Sequence, residues 1–203
     1  MAGAMSAQNE IKYNLNHVIG PFLRQRGCKG CISDQRVQTK NRFGYLYSDT
    51  VIVCGTPVLS EEVKPRSLIN PLLVVEATSA STVQRDHYEK FALYRQIASL
   101  RQYLLLSSEE MQAELYTLDE PGRWVFIETR DPNAVLDLSG ICCLVPLAEA
   151  YAGAGLPACP WRLPPTFRAS AEIYSAPGPP SRPTASGFAQ PKGGHGLRFL
   201  FGK

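Results

Sequence analysis

Asn70-Pro-Leu-Leu-Val-Val-Glu76-Ala-Thr-Ser79 is the stretch on which the fold turns. Its apolar run, bounded by Pro71 and by a Ser/Thr cluster at 78–82, predicts a buried strand over Leu72–Ala77. The chain then passes into a helix from about Ser81 to Ile97, with several hydroxyl side chains available as N-caps. Glu76 stands at the strand's end. An unpaired buried carboxylate costs several kcal/mol, so Glu76 must meet a cation, a metal ion or water; in open α/β sheets the strand ends are also where ligands bind. The helix can supply a cation. Asp86 and Lys90 are four residues apart on one face, and Lys90 borders the stripe Val83, His87, Phe91, Tyr94 that should lie on the sheet. A lysine there runs its stem along apolar surface and sets its ammonium near Glu76.

Upstream, Cys28–Thr39 and Phe43–Cys54 read as two strands joined by the polar turn Lys40-Asn41-Arg42, a hairpin. Asp49 interrupts the second strand just before Val51-Ile52-Val53. If this strand neighbours Leu72–Ala77, Asp49 and Glu76 point at one spot, which suits a hard divalent cation completed by water and phosphate oxygens. Two acids and a lysine suit metal-assisted phosphodiester hydrolysis. The plainer readings are that Asp49 is a turn or edge residue, that Asp86–Lys90 is a solvated ion pair worth a few tenths of a kcal/mol, and that His87 is a packed histidine. Asp34 divides evenly between a loop-anchoring hydrogen bond and a secondary site acid.

Farther out, Ile11, Leu15, Val18, Ile19, Phe22 and Leu23 make Ser6 to Gly27 an amphipathic helix, with Ser6 as N-cap and Gly27 as the stop. Strands are expected at Gln102–Leu106, Gln112–Thr117 and Arg123–Thr129, the last two joined through Asp119-Glu120-Pro121-Gly122. Ile141 to Tyr151 reads as a closing strand and short helix. The whole is α/β, a mixed sheet flanked by helices, in one domain over 6–153. Residues 154–203 form a Pro/Gly-rich basic tail expected to be mostly disordered.

Charge follows the same division. Residues 1–159 carry 15 Lys/Arg against 17 Asp/Glu, and residues 160–203 carry six against one, so overall charge gives the folded part no nucleic-acid signature of its own. No apolar run approaches the roughly 20 residues of a membrane span and no signal peptide is evident, which places the protein in the cytoplasm. Cys28-x-x-Cys31 has no second pair at zinc spacing, so the six cysteines are expected to be reduced and mostly buried. No strand is followed by a Gly-rich phosphate loop, which argues against a nucleotide-cofactor enzyme.

The ordered series Ser33-Asp34-Gln-Arg-Val, Tyr47-Ser48-Asp49, Pro71-Leu-Leu-Val-Val-Glu76-Ala-Thr-Ser79 with Thr82, Asp86, Lys90 and Tyr94, and Leu100-Arg-Gln-Tyr103 resembles the Uma-two-type restriction endonuclease family. That family is a branch of the PD-(D/E)XK nuclease superfamily. The resemblance spans Ser6 to Gly153. It implies a restriction-endonuclease-like core, Mg²⁺-dependent cleavage of DNA with Mn²⁺ as an alternative ion, metal ligands Asp49 and Glu76, and Lys90 as the catalytic lysine. Thr78 stands where the superfamily usually has that lysine. Ser48 replaces the family's proline, and an Asp-Gly-Glu-like turn ahead of the first helix is absent. These departures carry the alternative, a catalytically silent relative that binds nucleic acid or a protein. A homodimer would supply two sites for cutting both strands.

Overall fold

The computed structural model describes residues 2–32, 35–39, 44–61, 66–156 and 172–174. Asp34, the turn Lys40-Asn41-Arg42 and the rest of the tail, with the disorder expected of it, lie outside what is described, whereas the expected cap at Ser6 is overturned because the helix already runs through that position. The first helix, α1 (Ala2–Gln25), begins earlier than the apolar periodicity indicates. It buries Ile11, Leu15, Ile19 and Leu23, one residue per turn, and Gly27 leaves it at φ 64°, a left-handed conformation that glycine adopts without a Cβ penalty.

The expected hairpin splits into two tiers. β1 (Cys28–Ile32) pairs antiparallel with β4 (Thr50–Cys54), while β2 (Arg36–Gln38) pairs with β3 (Tyr45–Tyr47) in a separate two-stranded ribbon. The break on the return side falls at Ser48 and Asp49, where the chain bends and the Asp49 carboxylate accepts the Ala77 N–H at 2.8 Å. Asp49 therefore sits just ahead of a strand rather than inside one.

β5 (Leu73–Thr78) is buried along its whole length and pairs antiparallel with β4 and parallel with β6 (Gln102–Ser107). β7 (Ala113–Leu118) and β8 (Trp124–Thr129) continue the sheet antiparallel. Three described tail residues, β11 (Glu172–Tyr174), pair antiparallel with β8 at the far edge. Among the described residues the sheet has the order β1-β4-β5-β6-β7-β8-β11. Only the β5–β6 pair is parallel, and it needs a crossover helix.

That crossover, expected as a regular helix, is a π-helical segment, Arg85–Lys90, running into α2 (Phe91–Tyr94). Such wide turns are rare and concentrate at functional sites. Phe91 and Tyr94 seat the crossover on Tyr103, and Phe91 also meets Tyr116 and Trp124. The opposite face of the sheet carries Ile52, Leu73, Val75, Leu104 and Leu106, covered by α1 and by the ribbon of β9 (Val135–Leu138) and β10 (Cys143–Pro146), which leads into α3 (Leu147–Ala150). β9 was not expected, because four alternating residues after the Asp131-Pro-Asn133 turn carry little signal of their own.

The cysteine expectation needs correction. Cys28 and Cys54 form a disulfide, while Cys31, Cys142 and Cys143 are free. The ladder explains the pairing: Cys28 lies opposite Cys54, and the flanking Gly55 N–H donates to Gly27 O, so the cysteines occupy a non-hydrogen-bonded position where side chains approach most closely. Cys142, expected to be buried, is exposed. Among the described residues no helix is long and apolar enough to cross a membrane.

Candidate active site

Val74, Glu76 and Thr78 alternate onto the sheet face beneath the π-helical segment. Glu76 lies opposite Leu105, which lies opposite Glu114, which lies opposite Glu128, so the three glutamates share one row across β5 to β8. Thr50 pairs with Val75, and the register carried one step further sets Asp49 opposite Glu76. Asp49, just ahead of β4, thus lies beside the first acid of the row.

Lys90 closes over Glu76. Its Nζ lies 3.0 Å from Glu76 Oε1 and 2.8 Å from Asp86 Oδ1, with both acids 4% exposed at their side chains and the lysine 14%. Asp86–Lys90 is therefore a buried ion pair, not the solvated one of the plain reading. The Tyr103 hydroxyl donates to Asp86 O at 3.0 Å, which pins the wide turn to the sheet. Among the described residues Lys90 is the one donor that Glu76 Oε1 and Asp86 Oδ1 meet, so each oxygen retains acceptor capacity.

Burial pushes the Glu76 carboxyl up to about 7; the Lys90 charge opposes that rise and the Asp86 and Asp49 charges assist it. Burial also works against the Lys90 charge, but Glu76 and Asp86 outweigh it and its pKa ends above the usual value. On Glu76 the folded state holds a proton that the unfolded chain, at 4.5, releases, so stability is highest below 4.5 and falls as pH rises to about 7. A shift of this size corresponds to at most ~3 kcal/mol. Metal-free thermal unfolding at pH 5 and 8 should show the decline, and Glu76→Gln should remove most of it. An undiminished decline in the variant would contradict the assignment.

A second ion pair lies farther along the row. His87 Nε2 sits 3.1 Å from Glu114 Oε1, and this hydrogen bond raises the imidazole pKa despite partial burial. Gln112 Nε2 donates to Glu114 Oε1 at 3.0 Å and to Glu128 Oε1 at 3.1 Å, bridging two carboxylates that would otherwise repel. A cleft lined by Thr78, Ser79, Val83, Ser107, Gln112 and Glu114 opens beyond the ends of β5 and β6.

Helix α1 closes the remaining side. Gln8 Nε2 donates to Ala77 O at 2.6 Å, Lys12 Nζ lies 3.3 Å from Asp49 Oδ1, and Asn16 Nδ2 donates to Thr50 Oγ1 at 3.0 Å. The structure thus gathers Glu76, Lys90 and Asp86 into one contact, with Asp49 beside them on its own partners. Sequence reasoning missed Lys12, Gln8 and Glu114. The four-residue spacing Gln8-Lys12-Asn16, next to the buried stripe, was a legible signal; Glu114, inside Ala-Glu-Leu-Tyr, gave none.

Comparison with known proteins agrees with the sequence motifs. The profile of the family described as "Uma2: Putative restriction endonuclease" matches residues 1–142. The "uncharacterized protein sll1609" of Synechocystis sp. is 27% identical over 139 residues, covering 68% of this chain and 78% of that protein. A second Synechocystis protein, "uncharacterized protein slr1290", is 28% identical over 127 residues, 63% of this chain and 65% of its own length. A crystal structure titled as a putative nuclease belonging to DUF820 from Anabaena variabilis covers 74% of this chain and 81% of its own, at 12% identity and a TM-score of 0.49. With the profile spanning well over half its length, the chain belongs to the Uma2 family of putative restriction endonucleases.

Proposed function

We propose that the protein is a Mg²⁺-dependent endonuclease that hydrolyses phosphodiester bonds in DNA, with Asp49 and Glu76 as metal ligands and Lys90 as the catalytic lysine. One observation carries this reading: a buried Glu76 holds an ammonium at 3.0 Å, its Oε1 meets no other donor among the described residues, and the Asp49 carboxylate lies close by on the Ala77 N–H. The donor set fits a hard ion, which takes one or two carboxylates and fills its remaining positions with water and phosphate oxygens; Mn²⁺ is served by the same ligands. Among the described residues no three His, Cys, Asp or Glu side chains converge on one point, so the residues present do not suit an all-protein cage.

When bound, the metal supplies a water of lowered pKa and neutralises phosphate charge. The chain's own groups do the positioning. Lys90, fixed by Asp86 and Glu76, presents N–H donors at a set place above the row, where it can orient an attacking water or meet charge developing on phosphorus oxygens. Asp86 has no metal role here; it holds Lys90 at that place. The cleft at the ends of β5 and β6 gives the substrate room to approach the row.

A second reading, a silent relative that binds nucleic acid or a protein, is favoured by Asp49: its two oxygens are already engaged by Lys12 and by the Ala77 N–H. Plasmid DNA incubated with and without Mg²⁺ separates the two. Nicking or linearisation that EDTA abolishes is the expected result. Salt-sensitive DNA binding with no cleavage in either Mg²⁺ or Mn²⁺ would overturn the endonuclease reading in favour of the silent one.

A further inference from the structure

The Lys90 ammonium lies between two buried carboxylates that already balance much of its charge, which leaves room for a second cation toward a polyanionic substrate. Lys12 differs. Its side chain is 21% exposed, it faces one carboxylate that is also 21% exposed, and the contact is 3.3 Å. It belongs to the polar stripe Gln8-Lys12-Asn16, whose head groups rest on Ala77 O, Asp49 and Thr50 and so line the acid end of the sheet from the α1 side. Ile11 and Leu15, buried to within 1%, fix the helix beneath that stripe. The Lys12 Cα is therefore held in place while the ammonium, on a flexible four-carbon stem, is free to exchange partners.

The ammonium rests against an oxygen that the proposed metal would claim. A divalent ion on Asp49 satisfies that carboxylate more strongly than a partly exposed lysine does, and it repels the neighbouring ammonium. The released lysine stays within one side-chain length of Asp49, where the substrate phosphate must also sit. We propose that Lys12 is an exchangeable cation of this site: it neutralises Asp49 in the metal-free protein, and it contacts the substrate phosphodiester once the metal occupies Asp49. This inference rests on the metal-site reading above and adds to it a phosphate-binding residue.

Two measurements on the full chain test it, with Ca²⁺ as a hard probe ion. In calorimetry without DNA, Lys12→Met should bind Ca²⁺ about two- to fivefold more tightly than the parent, since a surface ion pair no longer competes. In binding of a short DNA duplex with Ca²⁺ present, the same variant should bind more weakly, and its log–log salt slope should shrink by about 0.9, the value for one phosphate contact. Lys12→Arg should restore the slope, which a purely structural lysine would not require. A Lys12→Met protein with Ca²⁺ affinity and salt slope both unchanged overturns the Lys12 role alone. Weaker Ca²⁺ binding in that variant also overturns it, because Lys12 would then be a support for Asp49. A parent that binds no Ca²⁺ overturns the metal-site reading and the Lys12 role together.

Discussion

Lys90→Met is expected to destabilise the fold by about 3–5 kcal/mol in urea unfolding at pH 8, the range for removing one partner of a buried ion pair. The reason is specific to this site. Glu76 and Asp86, each 4% exposed, share the Lys90 ammonium and have no other cation among the described residues they contact, so the variant leaves two carboxylates facing each other in a water-poor space. Methionine keeps most of the stem's packing, which isolates the charge effect from a cavity effect. Acid should soften the loss. Glu76 already takes its proton near pH 7, so at pH 5 the variant faces one charge rather than two. The double variant Glu76→Gln Lys90→Met should likewise recover part of the stability at pH 8. A cost below 1 kcal/mol at pH 8 would mean that the pair is solvated and that the buried description of the site is wrong.

That burial was the part of the site hardest to see in the sequence. Leu-Leu-Val-Val-Glu76 showed a strand ending on a charge, and the spacing of Asp86 and Lys90 showed that both share a helix face. Spacing cannot tell a solvated pair from a buried one, because burial is decided by what the helix lands on: Tyr103 and the aromatic group around Phe91, contributed by strands later in the chain. The π-helical segment was hidden for the same reason, since it answers to tertiary seating and not to local propensity. The strands from Gln102 to Thr129 were legible because each is a six-residue run rich in apolar and aromatic residues with turn residues to bound it. β9, at four residues, was not. The disulfide was also out of reach: sequence counts cysteines, but only the β1–β4 register sets Cys28 opposite Cys54.

The second large effect concerns chemistry. Glu76→Ala is expected to lower Mg²⁺-dependent DNA cleavage by about a thousandfold or more, since it removes one of the two proposed protein ligands and with it several kcal/mol of charge stabilisation in the transition state. Stability should move the other way or stay level at pH 8, because the variant deletes a carboxylate that burial disfavours in its charged form. That opposition is diagnostic: a loss of cleavage accompanied by unfolding would report damage, whereas a loss in a protein as stable as the parent reports a ligand. Cleavage within threefold of the parent would remove Glu76 from the mechanism.

Asp49, just ahead of β4, and Glu76 in β5 are proposed to hold a divalent cation together. A calorimetric titration of Mg²⁺ into the parent and into an Asp49→Ala Glu76→Ala double variant tests it without requiring knowledge of the DNA target. The account predicts saturable binding in the parent and none in the variant. Equal binding in the two proteins would place the ion elsewhere, and no binding in the parent would leave these acids without the role assigned to them.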